Sequence, residues 1–233
     1  TAAYIYGFLK KLNPDQLINE IGGEGILVLF DSGNPGPVLL FRADMDALPI
    51  KEVNDFSHRS VHEGVSHKCG HDGHTTILCG LAEKLSEQKP ETGKVYLLFQ
   101  PAEETGEGAA RVVNDPQFDI KPDYVFALHN LPGYEAGNIV VKDGLFSAAV
   151  NSIIIKLKGK TAHAAEPEFG FNPAKAISEI ITIADGLNHN IPEDENFQLV
   201  TPVYINMGTT AYGISAGEAE LHYTLRCWDN ERL

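Results

Sequence analysis

The chain has 233 residues, 43% hydrophobic and 21% charged, which are globular values with room for one large domain or two small ones. Eighteen Lys and Arg against 32 Asp and Glu leave a formal net charge of −14, a field that repels phosphate backbones and argues against nucleic acid as a partner. Cys69, Cys79 and Cys227 are too few for a disulfide framework, and no apolar run reaches the ~18 residues that cross a membrane.

In chain order, Thr1 to Leu12 predicts the end of a helix, stopped at Asn13-Pro14. Gly25 to Phe30 and Pro37 to Phe41 predict two strands around an Asp-Ser-Gly-Asn-Pro-Gly turn. Asp72 to Gln88 carries Ile77, Leu78, Leu81, Ala82 and Leu85, an apolar helical stripe. Lys94 to Phe99 and Tyr124 to Leu128 are continuous apolar runs, as expected of strands covered on both faces. Strands alternating with helices predict an α/β layer structure.

The pattern changes near Ser147, so one domain is expected over 1–146 and a smaller α+β domain over 147–233. Asn151 to Lys158 predicts a strand. Asn172 predicts a helix N-cap, with Pro173 at the first helical position and the stripe Ala176, Ile177, Ile180, Ile181, Ala184, Leu187 following. Leu199 to Asn206 and Ala219 to Arg226 predict two more strands. The second alternates apolar and polar residues, the mark of one buried and one wet face.

Four clusters carry ligand-type residues. Cys69-Gly70-His71-Asp72-Gly73-His74 sits before a helix, and a thiolate and an imidazole at i and i+2 on a glycine-flanked turn can meet one ion. The plainer reading is a chance cluster at a helix start, with Asp72 as a cap. Glu103-Glu104 follows an apolar strand, where ligands of open α/β sheets bind, and neighbouring side chains on extended backbone diverge. One can then hold metal while the other faces substrate. The alternative is a solvated acidic loop. His129 ends another apolar strand. Arg42-Ala43-Asp44-Met45-Asp46 ends a fourth, where a carboxylate can hold the second ring nitrogen of a ligating histidine, or an Arg–Asp pair can simply brace a loop.

Taken together, the stretches RADMDALPI, HKCGHDGHTT, FQPAEE, FALHNLPG and KGKTAHAAEP resemble the dinuclear-metal aminoacylase/carboxypeptidase family. The similar branch contains hippurate hydrolases, N-acyl-amino-acid amidohydrolases and indole-acetyl-amino-acid hydrolases. The resemblance implies a zinc-exopeptidase-like catalytic domain with a mostly parallel sheet, and a smaller ferredoxin-like domain serving as lid and dimerisation element. It implies Cys69, His71, Glu104 and His129 as metal ligands, Glu103 as general base and acid, and Asp46 as a clamp behind the ligands with Asp72 and His74 in support. His163 resembles a histidine of the smaller domain that polarises the scissile carbonyl, often across a dimer. The implied cofactors are two divalent ions, Zn or Mn, with Co also suited. The implied substrate is a small N-acyl amino acid and the implied partner a second copy of the chain; the sparse, odd cysteine count fits a reducing compartment, so a cytoplasmic location is expected, with no membrane partner.

The chain also departs from the pattern. A further histidine expected after the lid is missing before Leu233, and so is a segment expected upstream of Thr1, so the chain is expected to be incomplete at both ends. Tyr212-Gly213-Ile214-Ser215 replaces an Asn-Val-Ile-Pro-like stretch that holds substrate in relatives. Arg226 matches an arginine that binds the substrate carboxylate in some relatives, and is otherwise an ordinary strand residue. The competing expectations are a dipeptidase or acetyl-diamino-acid deacetylase of the same family, or a non-catalytic scaffold relative.

Overall fold

In the computed structural model, which describes residues 1–233, the longest apolar runs become the middle of a sheet. The first compact unit, Thr1–Ala136, contains α1 (Ala2–Lys10), β1 (Gln16–Ile21), β2 (Gly25–Asp31), β3 (Val38–Asp44), α2 (His71–Glu87), β4 (Lys94–Gln100), α3 (Gly108–Val113) and β5 (Tyr124–Ala127). The strand order is β1-β2-β4-β3-β5. β1/β2 and β2/β4 are antiparallel, and β4/β3 and β3/β5 are parallel. The sheet is therefore mixed, not mostly parallel. β2 and β3 flank a turn in sequence but do not pair, because β4 lies between them. The β1–β2 hairpin extends the sheet in the antiparallel sense, and β1 gave no sequence signal because its polar-rich QLINEI runs along an edge.

The middle strands are covered on both faces, as their unbroken apolar sequences require. Ile26, Val28, Phe30, Leu97 and Phe99 pack under Ile5 and Leu9 of α1 and Leu78 and Ala82 of α2. Leu27, Leu29, Leu40, Tyr96 and Leu98 face the other way, against Val112 of α3. Each such side chain contributes about 1.5–3 kcal/mol by leaving water. β5 does not follow this rule. Tyr124, Val125 and Phe126 are 60%, 60% and 47% exposed. An apolar run reports composition rather than position, and β5 is an edge strand paired only to β3.

The second unit, Gly137–Leu233, contains β6 (Ala149–Lys158), β7 (Ala162–His163), α4 (Ala174–Gly186), β8 (Gln198–Met207), β9 (Ile214–Ser215) and β10 (Glu218–Cys227). β10 lies antiparallel between β6 and β8, so β6–α4–β8 is a split β-α-β unit. Ile177 and Ala184 of α4 pack on Val200, Ala219, Leu221 and Tyr223. Asn172 Oδ1 accepts the Ala174 N–H at 2.8 Å, and Pro173 already has helical dihedrals, which starts α4. Residues 137–148 are turns and irregular chain ahead of β6. No helix is long and apolar enough to cross a membrane.

Candidate metal centre

The parallel pairing of β3 with β4 sets Asp44 beside Gln100, and the pairing of β3 with β5 brings the segment after Ala127 to the same rim. Three of the four ligand-bearing segments thus leave the sheet at one end, as ligand sites in α/β sheets do. α2 begins there too. Its N-cap is Gly70 at φ 96°, a left-handed conformation that favours glycine and turns the chain between Cys69 and His71. Ala102 stands at φ 49° just beyond β4, a rarely populated conformation for a non-glycine residue, immediately before Glu103 and Glu104.

His71 is 1% exposed. Its Nδ1 donates toward Asp46, 3.0 Å from the carbonyl oxygen and 3.2 Å from Oδ1. Asp46 Oδ2 also accepts the Glu104 N–H at 3.0 Å, so one carboxylate ties α2 to the loop after β4. The proton on Nδ1 leaves Nε2 as a lone pair, and that atom is buried without a hydrogen-bond partner. Around it stand Asp44 Oδ1 at 3.7 Å, Glu104 Oε1 at 3.7 Å and Glu103 Oε2 at 3.8 Å. A buried nitrogen lone pair facing carboxylate oxygens is costly unless a cation lies among them. Cys69 Sγ and His129 Nε2 are 3.5 Å apart, and the ligand atoms of Cys69, His71 and His129 all lie within 4.8 Å of one another. The same holds for His71, Glu103 and Glu104. The donor set of thiol, imidazole and carboxylate fits a divalent transition ion.

Electrostatics points the same way. Burial pushes the Cys69 thiol up to about 11, and the negative charges of Glu104, Glu103 and Asp44 add to the shift. Burial would also raise Asp44, but the His74 hydrogen bond and the charge of Arg42 oppose it, and the carboxyl is held below its ordinary value. The bracing role weighed for Arg42 is present as well, for its guanidinium donates to Asp44 Oδ2 at 2.8 Å and to Gln100 Oε1 at 2.9 Å.

Two expected residues belong to the second unit. His163 sits on β7, where Nδ1 accepts the Ala165 N–H at 3.1 Å. Arg226 lies on β10, opposite Val150 and Leu199. Asp72 is outside the cluster: its side chain accepts the Gly73 N–H and its carbonyl accepts from Thr75 and Thr76, which is helix-start work. His189 and His222 are tied to Asp194 at 2.9 Å and Glu220 at 2.6 Å. Sequence reasoning overlooked Asn130. Its side-chain amide lies 2.8 Å and its backbone N–H 2.9 Å from His74 Nε2, and the only signal was its place beside His129 at a strand end.

A mixed α/β sheet that gathers thiol, imidazole and carboxylate groups at one rim defines an α/β protein with a candidate metal centre. The chain belongs to peptidase family M20/M25/M40, whose family model matches residues 40–226. It is 37% identical over 208 residues to an N-acetyl-L-cysteine deacetylase of Bacillus subtilis, across 89% of this chain and 50% of that protein. It is 33% identical to an N-acetyldiaminopimelate deacetylase of Brevibacillus brevis, across 100% of this chain and 62% of that one. The chain therefore spans half to about three fifths of the length of these curated relatives. Among solved structures, a dinuclear metal-binding peptidase of the M20 family from Bacillus subtilis matches with a TM-score of 0.70 and 28% identity, over 99% of this chain and 59% of that one. An aminobenzoyl-glutamate utilization protein from Klebsiella pneumoniae matches with a TM-score of 0.64 and 26% identity, over 99% and 62%.

Proposed function

We propose that the chain supplies the metal-binding part of a hydrolase that cleaves the amide bond of N-acylated amino acids or similar small acyl-amino compounds. The observation that carries this reading is the buried, unpartnered Nε2 of His71 facing three carboxylates beside the Cys69–His129 pair. The two curated relatives are both named as deacetylases of N-acetyl amino acids, which favours a short acyl group on an amino acid.

Cys69, His71, Glu104 and His129 would hold a pair of divalent ions. A thiolate ligand favours Zn over Mg or Ca, and Mn and Co suit the remaining donors. When bound, such ions act as Lewis acids on the acyl carbonyl and make water easier to deprotonate. Asp46 fixes the tautomer of His71 and, through the Glu104 N–H, the direction of that carboxylate. The Glu103 side chain is 40% exposed and has solvent access, so it is assigned to take a proton from water and pass it to the leaving amine.

His163 is assigned to donate to the oxyanion. Its Nδ1 accepts from the Ala165 backbone, so the neutral ring carries its proton on Nε2, a free donor. Residues 147–233 would then act as lid and dimerisation element, with Arg226 available to a substrate carboxylate. The test is to strip the full chain of metal, add back Zn, Mn or Co, and assay N-acetyl amino acids beside dipeptides. Metal-dependent release of free amino acid from the acetylated substrates supports the reading. Metal-independent turnover, or turnover of dipeptides alone, overturns it.

A further inference from the structure

His74 lies behind the ligands and touches no predicted substrate position, yet it is one of the most completely buried polar residues of the chain, 1% exposed. Burying an imidazole this fully is favourable only if both ring nitrogens are satisfied. Both are. Nδ1 stands 2.6 Å from Asp44 Oδ1, and Asp44 is itself held by Arg42 at 2.8 Å. An ionised aspartate can only accept, so the His74 proton sits on Nδ1 and Nε2 presents a lone pair. Two groups of Asn130 meet that lone pair, the backbone N–H at 2.9 Å and the end of the side-chain amide at 2.8 Å, and the lone pair requires that amide to turn its NH2 toward the ring.

The Asn130 peptide also faces the next residue back. Its carbonyl oxygen accepts from His129 Nδ1 at 2.8 Å. That bond places the His129 proton on Nδ1 and leaves His129 Nε2, 3.5 Å from Cys69 Sγ, as the lone pair available to an ion. The His74 ring packs on the His129 ring as well, with centroids 4.5 Å apart. Gly70 closes the arrangement from the other side, because a Cβ there would come within 2.5 Å of the Asn130 side-chain amide.

We propose that His74 is a positioning residue: through the series Arg42–Asp44–His74–Asn130 it fixes the tautomer and direction of His129. The Asn130 contacts hold a segment that follows an exposed edge strand. The inference rests on the proposed metal-dependent function only for its purpose. The hydrogen-bond geometry stands in the metal-free protein.

The experiment uses the full chain labelled with nitrogen-15. In metal-free wild type, imidazole spectra should show His74 and His129 both as Nδ1–H tautomers, with a scalar coupling across the hydrogen bond from the Asn130 amide nitrogen to His74 Nε2. His74→Phe keeps a ring but removes the acceptor. It should scatter His129 between tautomers and weaken Co(II) binding, read by chelator competition, about tenfold or more. His74→Gln can donate to Asp44 and accept from Asn130, and should restore most of both. A protonated His74 Nε2 without the coupling overturns the proposal even if no variant folds. So does a His74→Phe protein with wild-type His129 tautomer and Co(II) affinity. If wild type shows the coupling but binds no divalent ion, the proposed function fails while the positioning chain stands.

Discussion

The two halves of the cluster differ in water access and in how they are held. Asp44, His71 and His74 are each about 1% exposed, and each is fixed by at least one short bond from a neighbouring element. Glu103 and Glu104 have side chains 40% and 24% exposed, and His129 is exposed. The dry half cannot rearrange cheaply, because every loss leaves a buried polar group unsatisfied. The wet half can exchange protons and admit substrate. A site with this division has a fixed frame and a working face, and substitutions in the two halves should fail in different ways.

The largest separation is expected within the wet half itself. Glu103→Gln in the full chain should lower turnover by about 10²–10⁴-fold with metal content nearly unchanged, since a proton carrier is lost and no ligand is. Glu104→Gln should lower turnover and metal content together. Activity assays paired with metal analysis distinguish these, and near-normal turnover in Glu103→Gln would remove it as the base. Next, His163→Ala should reduce kcat about a hundredfold or more at unchanged metal content, with KM moving less, because an oxyanion donor acts as charge develops. Wild-type kcat would return His163 to a turn residue that bonds its own loop.

In the dry half the expected failure is of stability. Asp44→Ala leaves Arg42 and His74 without their shared carboxylate, and removing one member of a buried pair costs about 3 kcal/mol or more. Denaturant unfolding should show it directly, and a change below about 1 kcal/mol would mean that the frame is held elsewhere.

The smallest effect concerns acid. Asp15 is held below its ordinary value by Lys89 and the Asp31 N–H, and Asp115 by the N–H groups of Gly22 and Gln117. Both carboxylates are depressed in the folded state. The stability they contribute is therefore present above about 3.8 and lost as pH falls through their lower folded values. Asp115→Asn should flatten this acid limb slightly by lowering stability at neutral pH while leaving it nearly unchanged in acid, as read from midpoints across pH.

What was legible in the sequence follows a physical rule. Strands β2 and β4 were plain because their residues are buried on both faces and must be apolar throughout. The four ligand-bearing segments were plain because each follows an apolar run or opens a helix. β1 was invisible because an edge strand with polar residues has no required pattern. β5 misled for the opposite reason, since its apolar sequence suggested a covered strand where the structure has an open edge. Strand order, and with it the mixed sense of the sheet, depends on long-range pairing that no local pattern encodes. Asn130 was missed because half of its contribution comes through its peptide group, which every residue type shares, and its side-chain contact to His74 spans 56 residues of sequence.

The central claim is that Cys69 belongs to a metal centre. In the metal-free protein burial and nearby carboxylates push its thiol up to about 11, so it is protonated at neutral pH, and a bound cation would reverse that preference and release the proton. Titrating Co(II) into metal-free full chain while following absorbance and proton release tests this directly. The account predicts a sulfur-to-cobalt charge-transfer band that rises together with released protons and is lost in Cys69→Ser. A Co(II) complex without that band, or with the same band in Cys69→Ser, would contradict it.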